Sequence, residues 1–182
     1  MFQSKATRKR LTKRTVFFLL LVAAVLGGLA WDGSPLGSLV LRQALRLKFR
    51  EVRRVTPAEL VAWTRDPARP PPLLLDARRD SSFARSHIQG AVRLDPTQPD
   101  LTVLAHVPRD QPLVVYDAAG IMGTAMVVGL TEAGFSRVSN LEGGIFRWVN
   151  EGHPIVSDSG TAKTVDPVHW ALGRLLKTRF HP

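Results

Sequence analysis

No cysteine occurs among the 182 residues. That absence excludes disulfides, zinc-thiolate sites, iron-sulfur clusters and any thiol nucleophile or persulfide carried by this chain. A chain of this kind tolerates an oxidising, extracytoplasmic compartment well. The histidines His106, His153, His169 and His181 show no ligand spacing, so neither a metal site nor another cofactor is expected. No internal repeat is evident, which argues against solenoids and propellers. Positive charge is also missing where a nucleic-acid groove would need it. The formal net charge is +10, but residues 1–14 carry +6, residues 15–55 carry +4, residues 56–156 sum to -2 and residues 157–182 return +2. The basicity belongs to the flanks, and no nucleic-acid partner is expected of the middle.

What is present begins with "SKATRKRLTKR", six basic residues in a cytoplasmic n-region over residues 1–14. Residues 15–31 follow, with an uncharged apolar run from Val16 to Trp31. As a helix those sixteen residues reach about 24 Å, somewhat short of a hydrocarbon core of about 30 Å. Two readings fit. One is an uncleaved, single-pass signal-anchor, favoured by the long basic n-region and by Trp31, whose ring suits a membrane interface. The other is a cleaved signal peptide, with Gly28 and Ala30 as the small residues before the cut. Either keeps the N-terminus cytoplasmic and sends residues 32–182 across the membrane, into the periplasm if the organism is bacterial. Residues 32–51 form an amphipathic basic linker helix: Leu36, Val40, Ala44 and Leu47 recur at helical spacing, and Arg42, Arg46 and Arg50 align four apart. Those arginines are either placed to meet anionic lipid headgroups or turned to water while the leucines pack on the domain.

From Val52 to Val156 short apolar runs alternate with helical stretches, as in a parallel sheet with crossover helices. Thr56, Pro57 and Glu59 spell an N-cap, a first-turn proline and a capping box. "LLLDAR", "GAVRL", "PLVVYD" and "RVSNL" read as strands after a first short one at "VRRV". "SSFARSHI", Gly123 to Ala133 and "GGIFRWVNEG" read as helices. After Pro154, "SDSGTAKT" reads as a linker, and residues 157–182 as a basic C-terminal tail in which "PVHWALGRLLKTRFHP" is a second small basic amphipathic segment.

Two longer segments carry chemistry-bearing residues in a fixed order. "LLLDARRDSSFARSHIQGAVRL" holds Asp76, Arg78, Phe83, His87, Ile88, Gly90 and Ala91. "PLVVYDAAGIMGTAMVVGLTEAGFSRVSNLEGGIFRW" holds Ala133, Gly134, Phe135, Gly143, Gly144 and Trp148. In their order and spacing these segments resemble the rhodanese-like, single-domain sulfurtransferase family over residues 52–156. The resemblance implies an α/β, three-layer domain with a five-stranded parallel sheet and an active loop after the fourth strand. In active members that loop opens with a cysteine that carries a persulfide, cradled by backbone N–H groups and often helped by an arginine. Here Asp117 stands at the cysteine position, and Ala118, Ala119, Gly120, Ile121, Met122 and Gly123 follow without a cation.

An aspartate cannot hold a sulfane sulfur, because transfer requires a polarisable thiolate. Thiosulfate sulfurtransferase activity is therefore not expected. Asp117 itself has three readings: a cap on the crossover helix, accepting from loop N–H groups; an aspartyl nucleophile, although "DAAGI" lacks a second aspartate and threonine; or a general base with no nameable partner. As a cap its pKa is expected below the unfolded value of about 3.9. Arg78 either binds an anion or pairs with Asp76, and His87 either acts as a base or fixes a turn. Ile121 and Met122 at the loop tip either meet a protein partner or fill the vacant pocket. The sequence thus reads as a membrane-anchored rhodanese-like pseudoenzyme that binds or regulates, with an unidentified protein as partner. The alternative is an enzyme that takes its thiol from another chain or uses Asp117 directly.

Overall fold

The computed structural model describes residues 52–182. The expected membrane segment 15–31 and the linker helix with Arg42, Arg46 and Arg50 lie outside the described residues. Among the described residues no helix is long and apolar enough to cross a membrane.

A five-stranded sheet organises the domain. Its strands are β1 (Arg53–Val55), β2 (Leu73–Asp76), β3 (Val92–Arg93), β4 (Leu113–Tyr116) and β5 (Val138–Leu141), in the spatial order β1-β5-β4-β2-β3. Every pairing is parallel, with Leu113 opposite Leu73 on one side and Val138 on the other. β4 lies at the centre, and its "LVVY" is buried throughout because both faces are covered. Leu113 and Val115 join one core with Leu75, Val127, Leu130 and Phe135. Val114 and Tyr116 join the other with Leu60, Ile145, Phe146 and Val149.

The helices supply those outer layers. α1 (Pro57–Arg65) opens with the expected capping box: Thr56 accepts from the Glu59 amide while the Glu59 carboxylate accepts from the Thr56 amide at 2.7 Å. α2 is Asp80–Arg85, and α3 (Gly123–Glu132) turns Met126, Val127 and Leu130 inward. α4 (Gly144–Asn150) buries Ile145, Phe146, Trp148 and Val149 against the opposite face. The three-layer α/β arrangement with five parallel strands agrees with the sequence reading.

The chain after Pro154 does not. The expected linker is a hairpin of β6 (Ile155–Ser157) and β7 (Gly160–Ala162), closed over Asp158 and Ser159, with Gly160 at φ +118. Only Ile155 of these six residues is buried, so the strands lack the apolar alternation by which a hairpin announces itself. Val156, the expected end of the domain, exchanges backbone hydrogen bonds of 2.7 and 2.9 Å with His87. Residues 157–182 are likewise no free tail. Val165 and Leu176 are buried, and Leu172, Leu175 and Phe180 pack on the α4 side of the core. The Asn150 side chain donates to Leu175 O at 2.7 Å and accepts from the Lys177 amide at 2.9 Å, while Ser82 Oγ donates to Asp166 at 2.7 Å. The amphipathic spacing of this segment turns its apolar side chains to the core and leaves its cations outside.

Candidate functional site

The loop after β4 folds around the side chain that begins it. Asp117, 4% exposed, turns its carboxylate back into the loop. There Oδ1 accepts hydrogen bonds from the amides of Gly120 and Ile121, and Oδ2 from those of Met122 and Gly123. The bond from Gly123 measures 2.9 Å and lies at the N-terminus of α3, where the helix dipole favours negative charge. Four successive N–H groups thus converge on one carboxylate, a concave anion-binding arrangement of backbone amides.

Neighbouring elements hold this geometry. The N–H groups of Ile145 and Phe146 in α4 donate to the carbonyls of Asp117 and Ala118 at 2.9 and 3.0 Å, so the outward side of the loop is bonded too. Asn140 on β5 donates through Nδ2 to Gly120 O at 3.0 Å and to Thr124 Oγ1 at 3.1 Å. Gly120 adopts φ +77, and a Cβ there would lie 2.6 Å from the Gly143 amide nitrogen. Gly144 has φ +57 and abuts the carbonyls of Asp117 and Ala118, leaving no room for a side chain.

Burial in this setting pushes the Asp117 carboxyl pKa up, against the opposing pull of the Gly123, Gly120 and Met122 amides. The depressed value expected from capping alone is therefore corrected. Among the described residues no cation pairs with the carboxylate, and removal from water outweighs the hydrogen bonds it gains.

Ala118 and Ala119 are buried in the core, and Ile121 packs against it. Met122 is 64% exposed at the tip. Arg78, on the loop after β2, joins none of these groups through a hydrogen bond. Its guanidinium binds Asp76 twice, through Nε at 2.9 Å and Nη2 at 2.6 Å, and Nη2 also reaches Ser86 O at 2.5 Å. Burial would lower the Arg78 pKa, but the hydrogen bonds and charge of Asp76 reverse that effect and raise it. The pair is buried on both sides. It locks the loop beside β4, and Tyr116 Oη, accepting from the Ile88 amide at 3.1 Å, completes the lock. His87 fixes a turn: its ring stacks on Phe83 with centroids 4.1 Å apart, and Nδ1 meets Phe83 O at 3.0 Å.

The sequence reading missed Asn140, Thr124 and the two α4 amides. Asn140 and Ser139, polar between Val138 and Leu141 in the "RVSNL" strand, and the Gly143-Gly144 pair were the available signals.

This loop, framed by β4 and α3, coincides with a family-level match: the sequence model of the rhodanese-like domain covers residues 56–151. The chain belongs to the rhodanese-like domain family. A sulfurtransferase of Allochromatium vinosum is 33% identical over 88 residues, which are 48% of this chain and 81% of that protein. YibN of Escherichia coli K12 is 29% identical over 86 residues, 46% of this chain and 60% of YibN. Among solved structures, a thiosulfate sulfurtransferase from Pseudomonas aeruginosa superposes with a TM-score of 0.51 at 31% identity, over 59% of this chain and 20% of that one. The BH2092 protein from Bacillus halodurans shares the fold, with a TM-score of 0.52 at 18% identity over 65% of this chain and 88% of its own. Within this rhodanese-like domain, the position that the resemblance gives to a persulfide-bearing cysteine is held by Asp117.

Proposed function

We propose that this chain is a membrane-tethered rhodanese-like binding module without sulfur-transfer chemistry. The observation that carries the reading is the carboxylate of Asp117 seated on the four loop amides. In that position it takes up the donors that would steady a sulfur-borne negative charge. It is also poorly placed as a nucleophile, being nearly inaccessible and bonded through both oxygens. Recognition then falls to the exposed surface of the same loop, where Met122 projects beside the half-buried Ile121 toward a protein partner. The tether rests on the apolar run Val16 to Trp31 and the six basic residues before it.

The test pairs a chemical with a topological measurement. Purified protein is expected to move no sulfur from thiosulfate to cyanide above the uncatalysed rate, and wild-type turnover overturns the pseudoenzyme reading. Asp117→Cys restores at most weak turnover, since Ala118 to Met122 supply no cation for the persulfide. Alkaline phosphatase fused after residue 182 is expected to be active, and an inactive fusion with stable expression overturns the extracytoplasmic placement.

A further inference from the structure

The segment that follows β7 closes into a loop. The Val165 amide donates to Phe180 O at 2.8 Å, joining residues fifteen apart in sequence. Such surface loops with adjoining ends are packed by their own side chains. Leu172, Leu175, Leu176 and Phe180 face the core here. The largest side chain of the loop does not. Trp170, at the start of the single-turn α5 (Trp170–Gly173), is 56% exposed, and Val168, held at φ +62, is 42% exposed. A β-branched residue seldom adopts that backbone conformation. The Arg174 guanidinium lies 5.2 Å from the centre of the Trp170 ring, and the His169 ring lies 5.6 Å from it. Arg179 and Lys163 are exposed on the same segment. Its Asp166 carboxylate is already engaged by Ser82 Oγ at 2.7 Å and the Val168 amide at 2.8 Å.

An exposed tryptophan and valine set among cations is the composition of an interfacial membrane contact: the indole suits the headgroup level, and the cations meet anionic lipid. Charge decides among occupants. A second copy meeting this face would gather the Arg174 and Arg179 of both chains at one interface, and that like charge opposes it. An anionic surface is attracted, and each basic residue near it favours association by about fivefold. We propose that the loop bearing Val168, Trp170, Arg174 and Arg179 docks the domain onto an anionic phospholipid surface. The idea rests on the tether of the proposed function only for proximity, which converts a weak contact into an intramolecular one.

The cysteine-free chain allows a site-specific test. The full chain carrying His169→Cys, labelled with an environment-sensitive fluorophore, is mixed with vesicles of phosphatidylcholine alone or with added phosphatidylglycerol. Flotation reports the tether, and emission at position 169 reports docking. A blue shift with phosphatidylglycerol only, abolished by added salt, by the pair Arg174→Glu and Arg179→Glu, or by Trp170→Ala, supports the proposal. A label at Asp110, at the entry to β4, serves as the control and is expected to stay unchanged. Equal emission at 169 on both vesicle types, or a shift that survives the charge reversals, overturns the proposal even when the chain floats. Failure to float on neutral vesicles overturns the tether alone.

Discussion

Asp117 and Gly123 are joined across six residues by a hydrogen bond of 2.9 Å, the Gly123 amide donating to Oδ2. The bond ties the end of β4 to the first turn of α3, and the amides of Gly120, Ile121 and Met122 donate to the same carboxylate. Asp117 is thus the internal anion of the loop, and it reaches the N-terminus of α3 from five residues before its N-cap, Met122. Replacing an acceptor by alanine so that buried donors lose their partner costs about 1 to 3 kcal/mol. Asp117→Ala is expected to lower unfolding stability within that range and to let the freed amides take up sulfate or thiosulfate. Urea unfolding and sulfate titration of both proteins check this. Equal sulfate affinity in the two would show that the carboxylate does not compete for the amides.

The pH dependence follows from the raised pKa of Asp117, whose cause is burial. The folded state holds the proton more tightly than the unfolded state, so stability falls with rising pH where the two differ. The contribution is fully present below the unfolded value of about 3.9 and is lost as pH rises through the higher folded value. Wild type minus Asp117→Ala is therefore expected to be largest in acid and to shrink as pH rises through that window. A difference that grows from acid toward neutrality would mean that the loop amides prevail over burial.

Gly144 sits against the carbonyls of Asp117 and Ala118 in a left-handed conformation. Gly144→Ala meets both the conformational and the steric obstacle, and is expected to destabilise by at least about 1 to 3 kcal/mol. It also displaces Ile145, whose amide holds the Asp117 carbonyl at 2.9 Å. Gly134, also at positive φ, has open space where a Cβ would go. Gly134→Ala meets the conformational cost alone and is expected to be the milder change. Chemical denaturation of the pair measures the steric share.

The sheet was legible because β2 and β4 are short apolar runs between helical stretches, and the capping box at Thr56 and Glu59 marked α1 in the sequence itself. The turn of the Asp117 carboxylate into its own loop was legible as capping. Its proton affinity was not, since that depends on how completely β4, α3 and α4 exclude water. Asn140 escaped notice because a buried polar residue on a strand is interpretable only when the carbonyl and hydroxyl it serves are in place. The C-terminal segment was legible as basic and amphipathic, but the closure of its loop was not, since the Val165 to Phe180 hydrogen bond and the seat of Leu176 depend on the folded domain.

The packing of that segment has a direct mutational test. Leu176 is 4% exposed in the core beneath α4, whereas Trp170 of the same segment is 56% exposed. Truncating a buried leucine removes its burial energy and leaves a cavity, together worth about 2 to 5 kcal/mol. Leu176→Ala is expected to fall in that range, lowering the transition midpoint of the whole domain in a single cooperative step. Trp170→Ala is expected to change stability by no more than about 0.5 kcal/mol, as surface substitutions do. Unfolding followed by far-ultraviolet circular dichroism keeps the readout independent of the removed indole. If Leu176→Ala behaved like Trp170→Ala, residues 157–182 would be an appendage and not part of the folded unit. If Trp170→Ala cost as much as Leu176→Ala, the indole would serve the fold and would not be free for a membrane surface.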